Sequence, residues 1–155
     1  EVIFSMLTFN PQMMRAIIMD HYQNPRNKRT PKDVDKYSKI HMDSASCVDD
    51  IWVYLLLEDD KVKDVAWDGV ACTISTASTS IMSELVQGKS AHDALYIIEQ
   101  YLKMIHEESF DDSVLDEAIV FMNTARQAAR IKCATIGWTG LQDLILEEEK
   151  EHHHG

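Results

Sequence analysis

The chain has 155 residues, 45% of them apolar, and 15 Lys+Arg stand against 26 Asp+Glu for a formal charge of −11. A chain of this length can bury roughly 70% of its unfolded surface without disulfide support, and this acidity disfavours nucleic acid and anionic membranes as partners. An odd cysteine count, no apolar run long enough to span a membrane and no signal-peptide pattern point to a cytoplasmic protein. Residues 1–150 are expected to form one domain, with 151–155, including His152, His153 and His154, set aside as a tag remnant or disordered tail.

Asn10 before Pro11 reads as an N-cap and first-turn proline, and Met13, Met14, Ile17, Ile18 and Tyr22 recur on one helical face, so a first helix runs to about His21. Asn24, Pro25, Arg26, Asn27 and Pro31 break it, and an edge strand is expected somewhere from Val34 to Met42. Ile51 to Glu58 is rich in branched and aromatic residues, Glu58-Asp59-Asp60-Lys61 is a turn, and Val62, Val65 and Trp67 resume the strand pattern, which makes a hairpin. After Gly69 the period changes to that of a helix through Ile74, Ala77, Ile81 and Leu85, with Gly88 just past its end.

Seven Ser/Thr residues between 73 and 83 make that helix poor by propensity, and its polar face reads either as close packing under a site or as a partly solvated surface. Ser90 with Asp93 resembles a capping box opening an amphipathic helix through Leu95, Ile98, Tyr101, Leu102 and Ile105. A shorter helix fits Val114, Leu115, Ala118, Ile119 and Met122, and a last one starts at or just after Cys133 with Ala134, Trp138, Leu141 and Ile145 on one face. Strands first and helices after predict an α+β fold, a small antiparallel sheet of about three strands covered by helices. Trp52, Trp67 and Trp138 are read as core.

The three cysteines, Cys47, Cys72 and Cys133, match no short zinc-finger spacing, and free cysteines are often plain buried residues. On this map, however, Cys72 and Cys133 each precede a helix, where unpaired N–H groups and the helix dipole favour a thiolate. Cys47 lies in the loop feeding the hairpin, and Asp49, two residues on, would complete a tetrahedron. Such a set suits Zn²⁺, while the sulfurs equally suit an iron-sulfur cluster. His41 is an alternative to Asp49 as ligand. Arg130 and Lys132 flank Cys133 and could offset the negative charge of the ligands. His21 reads as a favourable contact at a helix C-terminus rather than a site residue.

Taken together, these stretches resemble the IscU/SufU/NifU N-terminal-domain proteins of iron-sulfur cluster assembly. Ile18 to Asn27 is similar to the opening stretch of that family, Ser46-Cys47-Val48-Asp49 to its Thr-Cys-Gly-Asp motif, Ala71-Cys72-Thr73-Ile74-Ser75-Thr76-Ala77-Ser78 to its Gly-Cys-x-Ile-Ser-x-Ala-Ser motif, and Ala129 to Thr135 to its third cysteine motif. Lys132 stands where IscU proteins have histidine, and the long interval from Cys72 to Cys133 looks like the SufU branch.

The resemblance implies zinc on Cys47, Asp49, Cys72 and Cys133, a SufS-like cysteine desulfurase as partner, and Cys47 as the persulfide acceptor that passes sulfur to downstream iron-sulfur assembly proteins. Any sulfurtransferase-like activity would depend on that desulfurase. Rival readings are an IscU-type scaffold building a [2Fe-2S] cluster on the same ligands and a zinc-stabilised interaction module without sulfur chemistry. A zinc hydrolase ranks last, because a fully protein-ligated metal leaves no open position. Val48 and Ala71 replace glycines of the family motifs, so a left-handed backbone at either would be strained.

Overall fold

A computed structural model describes residues 10–44 and 48–154. Helix α1 is Pro11–Gln23, and its N-cap Asn10 accepts the Met13 N–H at 2.8 Å, as the Asn-Pro pair predicts. A single 3₁₀ turn, Val34–Lys36, precedes strand β1, Ser38–Asp43; strand β2 is Asp50–Glu58 and strand β3 is Lys61–Val70. The sheet order is β1-β2-β3, antiparallel throughout, with β1 at an edge as expected. Asp59 and Asp60, both at positive φ, form the two-residue hairpin turn that matches the twist of its strands.

Helix α2, Thr73–Val86, and helix α3, Ala91–Ile105, follow, the latter capped by Ser90, whose hydroxyl accepts the Asp93 N–H at 3.0 Å. Helix α4 is Ala128–His154. It lies against β1 and β2 while α2 and α3 pack on β3, so the apolar face of the sheet, Ile51, Val53, Leu55, Val62, Val65 and Trp67, is sealed. The chain is therefore α+β, with a three-stranded antiparallel sheet covered by helices. Among the described residues no helix is long and apolar enough to cross a membrane.

The Asn-Pro-Arg-Asn stretch does more than end α1. It lies along the outer side of β3: the Trp67 N–H donates to the Asn27 carbonyl, the Arg29 N–H to the Trp67 carbonyl, and the Trp67 indole N–H to the Arg26 carbonyl. Asn27 takes a left-handed backbone there, a conformation asparagine tolerates well.

Two expectations need correction, and one reading that the sequence left open is decided. The segment expected as a short helix from Val114 to Met122 is instead two 3₁₀ pieces, Asp112–Val114 and Asp116–Phe121, because Asp116 at φ 47° breaks the α-helical ladder between them. Its apolar residues are still core. Trp52 is not core but 40% exposed on the far face of the sheet, stacked on His41 with ring centroids 4.9 Å apart; strand alternation sends it opposite to Ile51 and Val53. The Ser/Thr-rich helix is not a solvated surface. Ser75, Thr76, Ser78, Thr79, Ser80 and Ser83 of α2 are all buried.

Burying hydroxyls in this way is costly without partners, and of the six only the Thr79 hydroxyl has none among the described residues. Ser78 accepts the Trp138 indole N–H at 2.9 Å and donates to the Ala134 carbonyl at 2.6 Å, which the buried Tyr101 hydroxyl also reaches at 2.8 Å. Tyr101 stacks on Trp138 with centroids 3.7 Å apart, and burial pushes its hydroxyl far above the usual tyrosine range. Small residues let α2 and α4 approach this closely. A Cβ on Gly137 would sit 2.5 Å from Thr79 Oγ1 and 2.9 Å from its Cγ2.

Gly137→Ala therefore sets two effects against each other. Alanine improves helix propensity by about 1 kcal/mol, whereas forcing a methyl into a stiff, buried β-branched neighbour costs about 1–3 kcal/mol. The clash should win, and urea unfolding is expected to show a lower midpoint at unchanged slope.

Candidate metal centre

Three segments converge at one end of the sheet: the loop from β1 to β2, the start of α2 and the second turn of α4. Ser44 and Asp49 close the base of the loop, the Ser44 N–H donating to the Asp49 carbonyl at 3.2 Å. The register pairs Asp50 with both Asp43 and Val70, so the residue before β2 and the residues after β3 are brought to the same edge. Close approach of β2 and β3 there depends on Gly69, at φ 132°, where a Cβ would lie 2.2 Å from the Asp50 carbonyl oxygen.

Cys72 is the N-cap of α2, as the sequence predicts, and its sulfur accepts the Ser75 N–H at 3.4 Å. The thiol therefore faces the positive end of the helix dipole. Cys133 differs from expectation. It lies not at a helix start but six residues into α4, because helical geometry begins back at Ala128, and the dipole effect fades within the first turn. Its sulfur is placed by burial, at 3% exposure, rather than by a helix terminus.

Asp49 is 2% exposed, and both carboxylate oxygens are engaged: Oδ1 accepts the Cys72 N–H at 2.9 Å and Oδ2 accepts the Ser75 hydroxyl. The Ser75 hydroxyl oxygen is also 3.3 Å from the Cys72 sulfur. One carboxylate oxygen and the sulfurs of Cys72 and Cys133 lie within 4.8 Å of one another. A carboxylate oxygen has more than one lone pair, so accepting a hydrogen bond does not by itself bar it from ligating a cation together with the thiols.

Cys47, expected as fourth ligand and sulfur acceptor, lies outside the described residues. His41, the alternative to Asp49, turns elsewhere: its Nε2 is 2.6 Å from Asp50 Oδ1 and its ring stacks on Trp52. Arg130 and Lys132 are both exposed, and Arg130 lines a groove of about 290 Å³ with Pro11, Met14, Ile74 and Gln127. Ala71 does not take a positive φ, so replacing the family's glycine there introduces no strain of that kind. Ser75 escaped the sequence reading. Its signal is the three-residue offset from Cys72, which puts its N–H and hydroxyl beside an N-cap side chain.

Residues 13–138 match the family model of the NifU-like N terminal domain. The zinc-dependent sulfurtransferase SufU of Bacillus subtilis is 34% identical over 147 residues, covering 92% of this chain and 98% of that protein. The iron-sulfur cluster assembly scaffold protein IscU of Streptococcus pyogenes is 31% identical over 139 residues, covering 89% and 86%. Among solved structures, a protein of Fervidobacterium islandicum put forward as an iron-sulfur cluster assembly scaffold for the SUF system superposes with a TM-score of 0.78 at 28% identity, covering 91% of this chain and 98% of that one.

Ser75→Ala removes a donor to Asp49 while leaving all candidate ligands in place. If the cluster holds zinc, competition with a chelator should show affinity lowered by about 10–100-fold, the range seen when a partner of a metal ligand is lost, whereas Ser75→Thr, which keeps the hydroxyl, should lose less.

Proposed function

This chain belongs to the NifU-like N terminal domain family, and from that membership and its ligand cluster we propose that it serves iron-sulfur cluster assembly as a zinc-binding sulfur acceptor of SufU type. The carrying observation is the approach of Asp49, Cys72 and Cys133 to within 4.8 Å of one another at the base of the loop that contains Cys47. Thiolates with one carboxylate fit Zn²⁺ by donor chemistry, and Asp49, Cys72 and Cys133 would hold it with Cys47 as fourth ligand. When bound, the ion would keep the thiols deprotonated and shielded from oxidation.

The remaining chemistry belongs to the chain and to its partner, a SufS-like cysteine desulfurase. The Cys47 thiolate attacks the outer sulfur of the desulfurase persulfide; that S–S bond breaks, the desulfurase leaves as thiolate, and the sulfur is carried on Cys47. No external oxidant is needed, because the persulfide already carries sulfur at the required oxidation level. Cys47 suits this part by its place in the sequence between β1 and β2, whereas Cys72 caps a helix and Cys133 is buried within one. Sulfur would then pass to downstream iron-sulfur assembly proteins.

The resemblance to IscU of Streptococcus pyogenes favours a second reading, a scaffold assembling a cluster on the same ligands. One experiment separates the two. The protein is incubated with a SufS-type desulfurase and ³⁵S-cysteine, first alone and then with ferrous iron. Label on the wild-type chain that disappears in Cys47→Ser is expected. Absence of label on the wild type would overturn the acceptor reading, and a stable iron-sulfide chromophore without persulfide label would select the scaffold.

A further inference from the structure

A second set of ligand-type side chains gathers at the other end of α2. His21 in the last turn of α1, Glu84 in the last turn of α2 and Glu117 in the 3₁₀ segment Asp116–Phe121 each bring one ligand atom within 4.8 Å of the other two. His21 is 1% exposed, while Glu84 and Glu117 are 49% and 44% exposed. Its Nε2 is 2.9 Å from Glu117 Oε1 and 3.9 Å from Glu84 Oε1. The carboxylates face a pocket of about 290 Å³ lined also by Ile81, Lys89 and Asp116.

A structural histidine needs one acceptor at this nitrogen, and Glu117 already provides it. Glu84 adds a second carboxylate at close range. Two such charges about 5 Å apart repel by about 1 kcal/mol in water and several times that near a protein surface. Arg26 Nε, 3.8 Å from Glu84, offsets part of this from one side, and Lys89 lines the pocket. The arrangement is that of a cation site with one nitrogen and two oxygen ligands on three separate elements.

The other ring nitrogen is held as a metal-binding histidine requires. His21 Nδ1 is 2.7 Å from the Ser80 hydroxyl, which also accepts the Arg26 N–H at 2.8 Å. A serine hydroxyl can donate to a bare Nδ1 or accept from a protonated one. With the proton on Nε2, His21 donates to Glu117; with it on Nδ1, Ser80 accepts it and the Nε2 lone pair is presented to the carboxylates. The second state matches the usual support of a metal-bound imidazole, whose remote N–H is fixed by an outer partner.

We propose that His21, Glu84 and Glu117 form a binding site for a divalent first-row cation, with the remaining coordination positions open to the pocket. Imidazole and carboxylate ligands suit Mn²⁺, Fe²⁺ or Zn²⁺, whereas the thiolate cluster at the other end of α2 suits zinc and discriminates against Mn²⁺. The inference is independent of the sulfur-acceptor reading. It uses none of the three cysteines.

Mn²⁺ is the probe, because its free aqueous ion gives a strong electron paramagnetic resonance signal that is lost on binding. Every protein tested carries alanine at His152, His153 and His154, so that the terminal histidines cannot contribute. The expected result is about one tightly held Mn²⁺ per chain with a ¹⁴N coupling from one imidazole, and at least ~10-fold weaker binding in Glu84→Gln and in Glu117→Gln. Glu107→Gln with Glu108→Gln, at an exposed acidic pair elsewhere, should change nothing. Both test positions are half exposed, so the glutamine variants should melt with the parent. A parent chain that leaves Mn²⁺ free, or binding lost equally in the control pair, overturns the proposal, as does retention in both test variants.

Discussion

A helix with this many buried polar side chains is costly unless most of its hydroxyls find partners, and that requirement on α2 organises the molecule. Ser75, Thr76, Ser78, Thr79, Ser80 and Ser83 are packed between α1, α4 and the sheet, where an unpaired hydroxyl costs on the order of 1–3 kcal/mol. Of the six, Thr79, whose side chain lies against Gly137, is the one whose hydroxyl has no hydrogen-bond partner among the described residues. The partners are drawn from distant parts of the chain. Ser75 binds Asp49 before β2, Ser78 binds α4 through Ala134 and Trp138, Ser80 binds His21 and the Arg26 N–H, and Ser83 receives the Asn27 side-chain amide. The helix is thus the polar axis around which the apolar layers assemble. Its poor intrinsic propensity is overridden by burial and these bonds.

This explains why the candidate ligands meet although long stretches of chain separate them. Cys72 is fixed by α2 itself, Asp49 is tied to it through the Cys72 N–H and the Ser75 hydroxyl, and Cys133 is carried in by the close crossing of α2 and α4. The two thiols are stabilised by different means. One is held by a helix terminus, the other by position inside a packed helix, so the ligands differ in how readily each can move.

Much of this was legible in the residues. Asn10-Pro11, Ser90-x-x-Asp93 and the two-residue hairpin turn carry local signals that fix caps and register over a few positions, and the structure has all three where they were read. What escaped depended on long-range contacts. Strand alternation decides that Trp52 faces solvent, but composition alone cannot say which face is covered. Asp116 in a left-handed conformation turns an apolar 3.6-residue pattern into 3₁₀ pieces, and nothing in that pattern announces it. The first turn of α4 begins earlier than its apolar face suggests, since Ala128 and Ala129 carry no periodic signal. The burial of the serine ladder was one of two readings the sequence left open, and only packing selects it.

The same ladder separates two ligand chemistries along one helix. At its N-terminus the dipole and a buried carboxylate accompany sulfur; at its C-terminus an imidazole anchored by Ser80 faces two half-exposed carboxylates. Soft and hard cations sort by ligand type more than by overall affinity, so a chain bearing both sets need not have them compete for one ion. The arrangement also limits what can be exchanged between them. Ser75 and Ser80 lie on one buried element, so movement of α1 that disturbs His21 can reach the cysteine site through α2, where both of these hydroxyls are already committed to partners.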